Sequence, residues 1–380
     1  MRLQGSVGNR LPLMVLRAVA TALVVLVAVG APVGAAQAPT TSVCVNPEGS
    51  GGCVRSIQAA VASAAPGAMV WVAPGIYRES LSITTSLTLR GAGADATTLD
   101  AAGSDNAIHI TADGVRIEGL TITGARLDGV LVNANRAQIV NNRVTGNAQL
   151  VIPAPSAEAH PTVFNQVNLQ NASDALVADN VLTGSRGRGI RTEGSAAYDA
   201  PEHGIRKVVL GRSDRNVIIN NRISDNIGGC GIVLSTDSSN NVVMSNTITN
   251  NGTGLVISNI PPFGLPATPF ADHIPHADGN IIMNNTVVGN STQGLAVHPI
   301  IGVANANVIS GNTVRDNGTS PVTGDDTVGI YVWAGPSPEG PFPSTAMGNV
   351  VGPGNVTEGQ VRGIFVGGEA AETQVLESSW

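Results

Sequence analysis

Three groups of side chains could do chemistry in this 380-residue chain. The first is acidic: Asp325 and Asp326 are adjacent, and Glu193 lies two residues after Arg191. Two carboxyl groups flanking a glycosidic oxygen, one as acid and one as base or nucleophile, hydrolyse sugars. The second group is basic or amphoteric. Arg191, His298 or Tyr331 could take the C5 proton of a uronate or steady its carboxylate, as a lyase requires, and the acids could hold Ca²⁺ for the same purpose. The third is aromatic. Only 3% of residues are Phe, Trp or Tyr, yet Tyr331, Trp333 and Phe365 recur at matching places in a pattern described below. Flat rings backed by polar groups suit the faces of sugars, although rings there could equally be buried under loops. His203 and His273 join them as candidate ligand contacts. Asp272-His273-Ile274-Pro275-His276 has metal-like spacing but no defined third ligand, so a solvated loop is expected and no transition-metal site.

The elements that must position these groups are short repeats. Ile139-Val140-Asn141-Asn142-Arg143-Val144-Thr145 recurs from Val177, Ile218, Val243, Ile282 and Ile309, and more weakly from Ile117 and Val351. Its fourth position aligns Asn142, Asn180, Asn221, Asn246, Asn285 and Asn312. Asn tolerates left-handed backbone and can bond to its copy one layer away, so the column reads as structural. A second strand follows, as in Gly189-Ile190-Arg191-Thr192 and Gly329-Ile330-Tyr331-Val332, with Gln149-Leu150-Val151-Ile152 taken as a version lacking Gly. Units this short cannot bury a face alone, and coiling stacks like strands in parallel. The expected fold is all-β: a parallel β-solenoid of about ten coils with a short capping helix over Ser56–Ala65. With Ile and Val turned inward, Leu131, Arg191, Val233, Val256, Ala296, Tyr331 and Phe365 face outward, followed two residues on by Asn133, Glu193, Ser235, Ser258, His298 and Trp333. Insertions at Pro153–Ala172, Gly194–Asp214, Pro261–Asp278 and Ala334–Ala346 are expected to leave one corner and wall a groove beside that strand.

Residues 1–36 read as a secretory signal: Arg2, Arg10 and Arg17 precede the apolar run Ala18–Val29, and small residues follow. The expected organisation is then residues 37–68 with the cap and a Cys44–Cys53 disulfide, a β-helix over 69–370, and a tail over 371–380. Export permits that disulfide, and the location is secreted or periplasmic. Cys230, left over, reads as a small buried residue rather than a catalytic thiol. The net charge is −7 with one lysine, Lys207, and no basic run, which argues against nucleic-acid binding. No later stretch is apolar enough to span a bilayer. The chain is expected to be a monomer.

Ser56-Ile57-Gln58-Ala59-Ala60, Val70-Trp71-Val72-Ala73-Pro74-Gly75-Ile76-Tyr77 and Leu87-Thr88-Leu89-Arg90-Gly91 resemble the opening of pectin-lyase-like right-handed β-helix proteins. The Asn-rich coils from Gly114 to Gly367 resemble parallel β-helix repeats of the NosD type. Gly324-Asp325-Asp326 is similar to the Gly-Asp-Asp of polygalacturonases. Their Asn-Thr-Asp and Gly-His-Gly are replaced by Asn290-Ser291-Thr292 and Glu358-Gly359-Gln360. The resemblance implies a right-handed parallel β-helix and leaves the activity open. The functional expectation is binding of an extracellular polysaccharide or cell-surface glycan, with cleavage of lyase or hydrolase type as its catalytic form. The alternatives are a non-catalytic envelope or adhesive scaffold and a NosD-like periplasmic maturation protein.

Overall fold

The computed structural model describes residues 41–153, 162–194, 196–200, 205–209, 211–259, 274–319, 326–335 and 344–376. Residues 1–36, His203, His273 and Asp325 lie outside them. Strands succeed one another in a fixed order through three parallel sheets, here numbered by their order in a coil. Sheet 1 has twelve strands, and sheets 2 and 3 have ten each, so sheet 3 counts ten coils. Each strand pairs with its own copy one turn later, for example Ile139 with Ile117 and Val177.

The core is a stack of inward files. In sheet 1, Ile117, Ile139, Val177, Ile218, Val243, Ile282 and Ile309 are fully buried. In sheet 2 the equivalent file runs Ile122, Val144, Leu182, Ile223, Ile248, Val287 and Val314. Burial of each such side chain contributes roughly 1.5–3 kcal/mol. β-Branched residues dominate because a stiff branched side chain packs well on a pleated surface.

Polar order at the corners matters as much. Asn142, Asn180, Asn221, Asn246, Asn285, Asn312 and Asn355 form a ladder between sheets 1 and 2. From Asn180 onward each Oδ1 accepts from the backbone N–H and Nδ2 of the Asn one coil earlier, as with Asn246 and Asn221 at 2.9 and 3.0 Å, while Asn142 Oδ1 accepts from the Leu120 N–H. The left-handed backbone falls one residue earlier than expected, on Asn141, Asp179, Asn220, Ser245 and Asn284, with φ between 55° and 58°. Two further ladders were not anticipated. Asn226, Asn251, Asn290 and Asn317 stack between sheets 2 and 3, and Asn216, Asn241, Asn280, Asn307 and Asn349 between sheets 3 and 1. The Gly that opens most sheet-3 strands makes room for the former: a Cβ on Gly254 would lie 2.2 Å from the Gly294 carbonyl oxygen and 3.0 Å from Asn290 Nδ2.

Sheet 1 begins at Ser42–Val45 and ends at Gln374–Val375. The β-helix therefore takes in part of the segment assigned to the N-terminal region and of the tail. Cys44 and Cys53 are bonded, with Cα atoms 4.7 Å apart. Helix α1 (Ile57–Ser63) buries Ile57, Ala60 and Val61 against the first coils. Ser56 caps it, and the Glu79 carboxylate accepts from the backbone N–H groups of Ile57 and Gln58 at 2.7 and 3.0 Å, satisfying donors that a helix start leaves free. Among the described residues no helix is long and apolar enough to cross a membrane.

Candidate functional site

Two outward files line sheet 3. One runs His109, Leu131, Asn168, Arg191, Val233, Val256, Ala296, Tyr331 and Phe365. The other continues the same register through Asn133, Gln170, Glu193, Ser235, Ser258, His298 and Trp333. The structure thus brings together Arg191, Glu193, His298, Tyr331, Trp333 and Phe365 on one face. It adds His109, in register with Leu131.

Insertions frame this face at both edges rather than one. The segments after Glu193, after Ile257 and after Ala334 leave between sheets 3 and 1, as expected. The stretch counted as a fourth insertion does not. Val151–Ile152 pairs antiparallel with Thr162–Val163, and the sheet-3 strand of that coil is Asn165–Gln170. This hairpin, and the residues between Thr313–Arg315 and Val328–Ala334, leave between sheets 2 and 3. The reading of Gln149–Ile152 as a coil strand is corrected accordingly. Gln166 occupies the position usually held by Gly; its Oε1 accepts from Asn147 Nδ2 at 2.9 Å and its Nε2 donates to the Thr183 carbonyl at 2.6 Å. It fills a gap in the ladder, where Ser185 stands in the place of Asn.

The face is buried along much of its length, in contrast to sheet 2, whose outward Arg222, Thr247 and Thr286 are exposed. Its first half is a hydrogen-bonded polar track. His109 Nε2 meets Asn133 Oδ1 at 2.8 Å, Asn133 Nδ2 donates to Gln170 Oε1 at 3.3 Å, and Gln170 Nε2 donates to Glu193 Oε1 at 2.9 Å. Glu193 Oε2 lies 2.6 Å from Arg191 Nη2, and the two side chains are 0% and 7% exposed. Such a pair survives burial only with close geometry and further hydrogen bonds, which Gln170 and Ser235 provide at 2.9 and 3.3 Å.

Past the small apolar Val233, Val256 and Ala296 the face becomes aromatic. Tyr331 is fully buried and stacks on Phe365, with centroids 5.5 Å apart and planes 11° from parallel. His298 meets Tyr331 and Trp333 edge-on at 5.6 and 4.9 Å. Trp333 is half-buried, and its ring lies where a Cβ on Gly335 would be, 2.4 Å from Cζ2. At the rim, Asp326 Oδ2 accepts from Arg362 Nε at 2.7 Å, and that guanidinium sits 5.5 Å from the Phe365 ring centre.

The carboxylates proposed to act together do not meet. Glu193 and Asp326 belong to coils four strand steps apart, about 19 Å at the sheet spacing. Glycosidases place their two carboxyl groups roughly 5–9.5 Å apart. Cys230 is half-buried by side-chain position, and burial of its sulfur pushes the thiol pKa up, as expected of an inert cysteine. Among the described residues no three His, Cys, Asp or Glu groups cluster as metal ligands.

Sequence reasoning missed Asp128. It precedes the sheet-3 strand Val130–Val132 and is 5% exposed. Its Oδ1 accepts from the Asn165 backbone N–H and Nδ2 at 2.9 and 2.8 Å, and its Oδ2 from Asn168 Nδ2 at 3.1 Å. The available signal was an acid directly before the strand-opening Gly129, where burial is nearly complete. Loss of hydration raises its pKa above the usual carboxylate value; the Asn165 and Asn168 hydrogen bonds oppose this, and the Glu193 charge adds to it. The folded state then holds this proton to higher pH than the unfolded state does. The contribution of Asp128 to stability therefore falls as pH rises from near 3.8 through the raised value. Asp128→Asn should remove that loss. Denaturant midpoints of wild type and variant, measured across pH 4–8, should diverge in the variant's favour toward the upper end.

The comparisons with known proteins fit this architecture. A profile described as the right-handed beta helix region matches residues 87–259 and 201–339. A mannuronan C-5 epimerase A-module of Azotobacter vinelandii superposes with a TM-score of 0.56 at 14% identity, covering 85% of this chain and 93% of that one. An alginate lyase from Paenibacillus sp. gives 0.52 at 18%, covering 88% and 98%. The Dettilon tailspike protein gives 0.53 at 17%, covering 83% of this chain and 61% of its own. No curated protein matches at the level of sequence. The matched stretches and the register of all three sheets lead to one assignment: the chain belongs to the right-handed β-helix family, with a pectin-lyase-like fold.

Proposed function

We propose that this chain binds an extracellular polysaccharide along the outward face of sheet 3, outside the cytoplasm. The observation that carries the reading is the aromatic patch of His298, Tyr331, Trp333 and Phe365, placed between two corners that both carry insertions. Trp333 offers the ring face for stacking. Tyr331 supports it from below, since a fully buried ring cannot itself lie against a sugar. The mannuronan epimerase and alginate lyase among the structural neighbours support an acidic glycan as the ligand class. The Arg362 guanidinium at the rim, 47% exposed, suits a uronate carboxylate.

For cleavage, the geometry favours elimination over hydrolysis by paired carboxylates. His298 is half-buried against the Trp333 ring, and the imidazole is the described group there best suited to take a proton near neutral pH. Glu193 is better read as a structural partner of Arg191 than as a general acid, because it is fully buried and already paired.

Affinity electrophoresis through gels containing alginate, polygalacturonate or a neutral glucan tests the binding. Trp333→Ala should weaken retardation about tenfold or more, the effect of losing one well-packed ring contact. Retardation by none of the three, or unchanged retardation of the variant, would overturn the reading. Release of unsaturated uronates, abolished in His298→Ala, would establish elimination; binding with no product would leave a glycan-binding scaffold.

A further inference from the structure

The outward face of sheet 3 holds a second polar centre, five to six strand steps from Trp333, that the glycan reading does not use. Asp128, Asn165 and Asn168 are 5%, 1% and 4% exposed. Two features set them apart. The Asp128 carboxylate has only neutral amide donors around it, and among the described residues no Arg, Lys or His pairs with it. A buried carboxylate without a counter-charge is costly. The side-chain oxygens of Asn165 and Asn168 are also buried and accept no hydrogen bond. Two amides therefore meet one uncompensated negative charge, each presenting its nitrogen to the carboxylate and keeping a buried oxygen with no donor. The nearby Glu193 does not help, since its own charge is spent on Arg191.

We propose that Asp128, Asn165 and Asn168 form a binding site for one hard divalent cation of the Ca²⁺ class. Carboxylate and amide oxygens are the donors such an ion prefers, and the absence of nitrogen or sulfur ligands disfavours Zn²⁺ or Cu²⁺. A half-turn of each amide would exchange its nitrogen for its oxygen beside the carboxylate. Oxygens 2.8 and 3.1 Å from a carboxylate, as the nitrogens are now, are tolerable only with a cation between them. Ca²⁺ accepts an irregular shell and sheds water readily, whereas Mg²⁺ keeps its waters and needs near-octahedral room. The site lies beside the apolar contact of Leu127, Ala148 and Phe164, with Leu150 and Ile152, at the base of the Val151–Val163 hairpin. Bound cation would tie that hairpin to the sheet.

Calorimetric titration of the full chain, stripped with a chelator and then given CaCl₂ or MgCl₂, tests this. Wild type should bind about one Ca²⁺, and Mg²⁺ more weakly. Asp128→Asn should lose at least about a hundredfold in affinity, and Asn168→Asp should gain about tenfold, because cation affinity follows ligand charge. The two variants move in opposite directions, so general damage to the fold cannot mimic the result. Circular dichroism checks folding, and Asn168→Asp decides alone if Asp128→Asn does not fold. No saturable Ca²⁺ binding by wild type up to about 10 mM, above the weakest range of extracellular Ca²⁺ modules, would overturn the proposal. So would unchanged affinity in Asp128→Asn, or weaker binding in Asn168→Asp.

Discussion

Asn246→Ala should lower the stability of the protein by about 3–5 kcal/mol, among the larger costs of a single substitution. Asn246 is 1% exposed and sits in the middle of the ladder between sheets 1 and 2. Its Oδ1 accepts from the Asn221 N–H at 2.9 Å and from Asn221 Nδ2 at 3.0 Å. Its Nδ2 donates to the carbonyls of Ile218 and Met244 and to Asn285 Oδ1, at 2.9, 3.0 and 3.0 Å. Alanine removes all of these. It leaves two buried donors, the Asn221 N–H and Nδ2, and three buried oxygens with a partner gone. Each unsatisfied group costs roughly 1–3 kcal/mol, and the ladder's neighbours polarise one another, so the loss spreads beyond one coil. Asn284→Gly is the control. Asn284 is exposed with φ 55°, a conformation glycine adopts without strain, and the change should be within about 0.5 kcal/mol. Denaturant titration followed by far-ultraviolet circular dichroism compares the two. A cost below about 1 kcal/mol for Asn246→Ala would mean that packing of the inward files, rather than the ladder, fixes the corner.

This ladder was legible in the sequence because its unit is contiguous: two apolar residues, a turn residue, Asn, and a β-branched pair within seven positions. The other two ladders have the same chemistry but were hidden. They fall five residues to either side of it with the same spacing from coil to coil, as Asn241 and Asn251 do around Asn246, and so lie just outside that seven-residue unit. The sheet-3 files were legible wherever a Gly opened the strand, since Gly254 and its equivalents are required by close backbone approach. They were lost at Asn165–Gln170, where Gln166 replaces that Gly and supplies the amide that Ser185 lacks. The alternation in Gln149–Ile152 then offered a false strand, and the insertion was assigned to the wrong corner. His109 escaped for the same reason: Ile108-His109-Ile110 carries no Gly, although it pairs in register with Val130–Val132.

The site was legible as a set of outward positions and not as an environment. Alternation fixed which way Arg191, Tyr331 and Trp333 point. It could not decide whether water, a loop or a neighbour covers them, because that depends on segments remote in sequence. Tyr331 and Glu193 are fully buried and Trp333 is half-buried, although their strands give the same sequence signal. Asp326 and Glu193 are too far apart to act as a pair, because four strand steps separate their coils.

Burial of this kind makes the Arg191–Glu193 pair a sensitive probe of the groove floor. Arg191→Met should cost about 3–5 kcal/mol, because it leaves the Glu193 carboxylate buried without the guanidinium 2.6 Å away. Glu193→Gln keeps the acceptor for Gln170 but leaves Arg191 charged, and it should cost less, since Arg191 is the more exposed partner. The double variant should recover much of the loss. Replacing both charges removes two desolvation penalties together, and well-packed neutral substitutes for buried pairs are often neutral or stabilising. A double-mutant cycle on denaturant midpoints should therefore give a coupling of about 2 kcal/mol or more. Coupling below about 0.5 kcal/mol would mean that water reaches the carboxylate, as for a surface pair. The glycan assay separates this role from recognition. A purely structural pair predicts that the double variant, once folded, binds polysaccharide as wild type does, while Trp333→Ala does not. Loss of binding in the double variant with stability restored would instead place Arg191 against the ligand, and the polar half of the face would join the aromatic half in recognition.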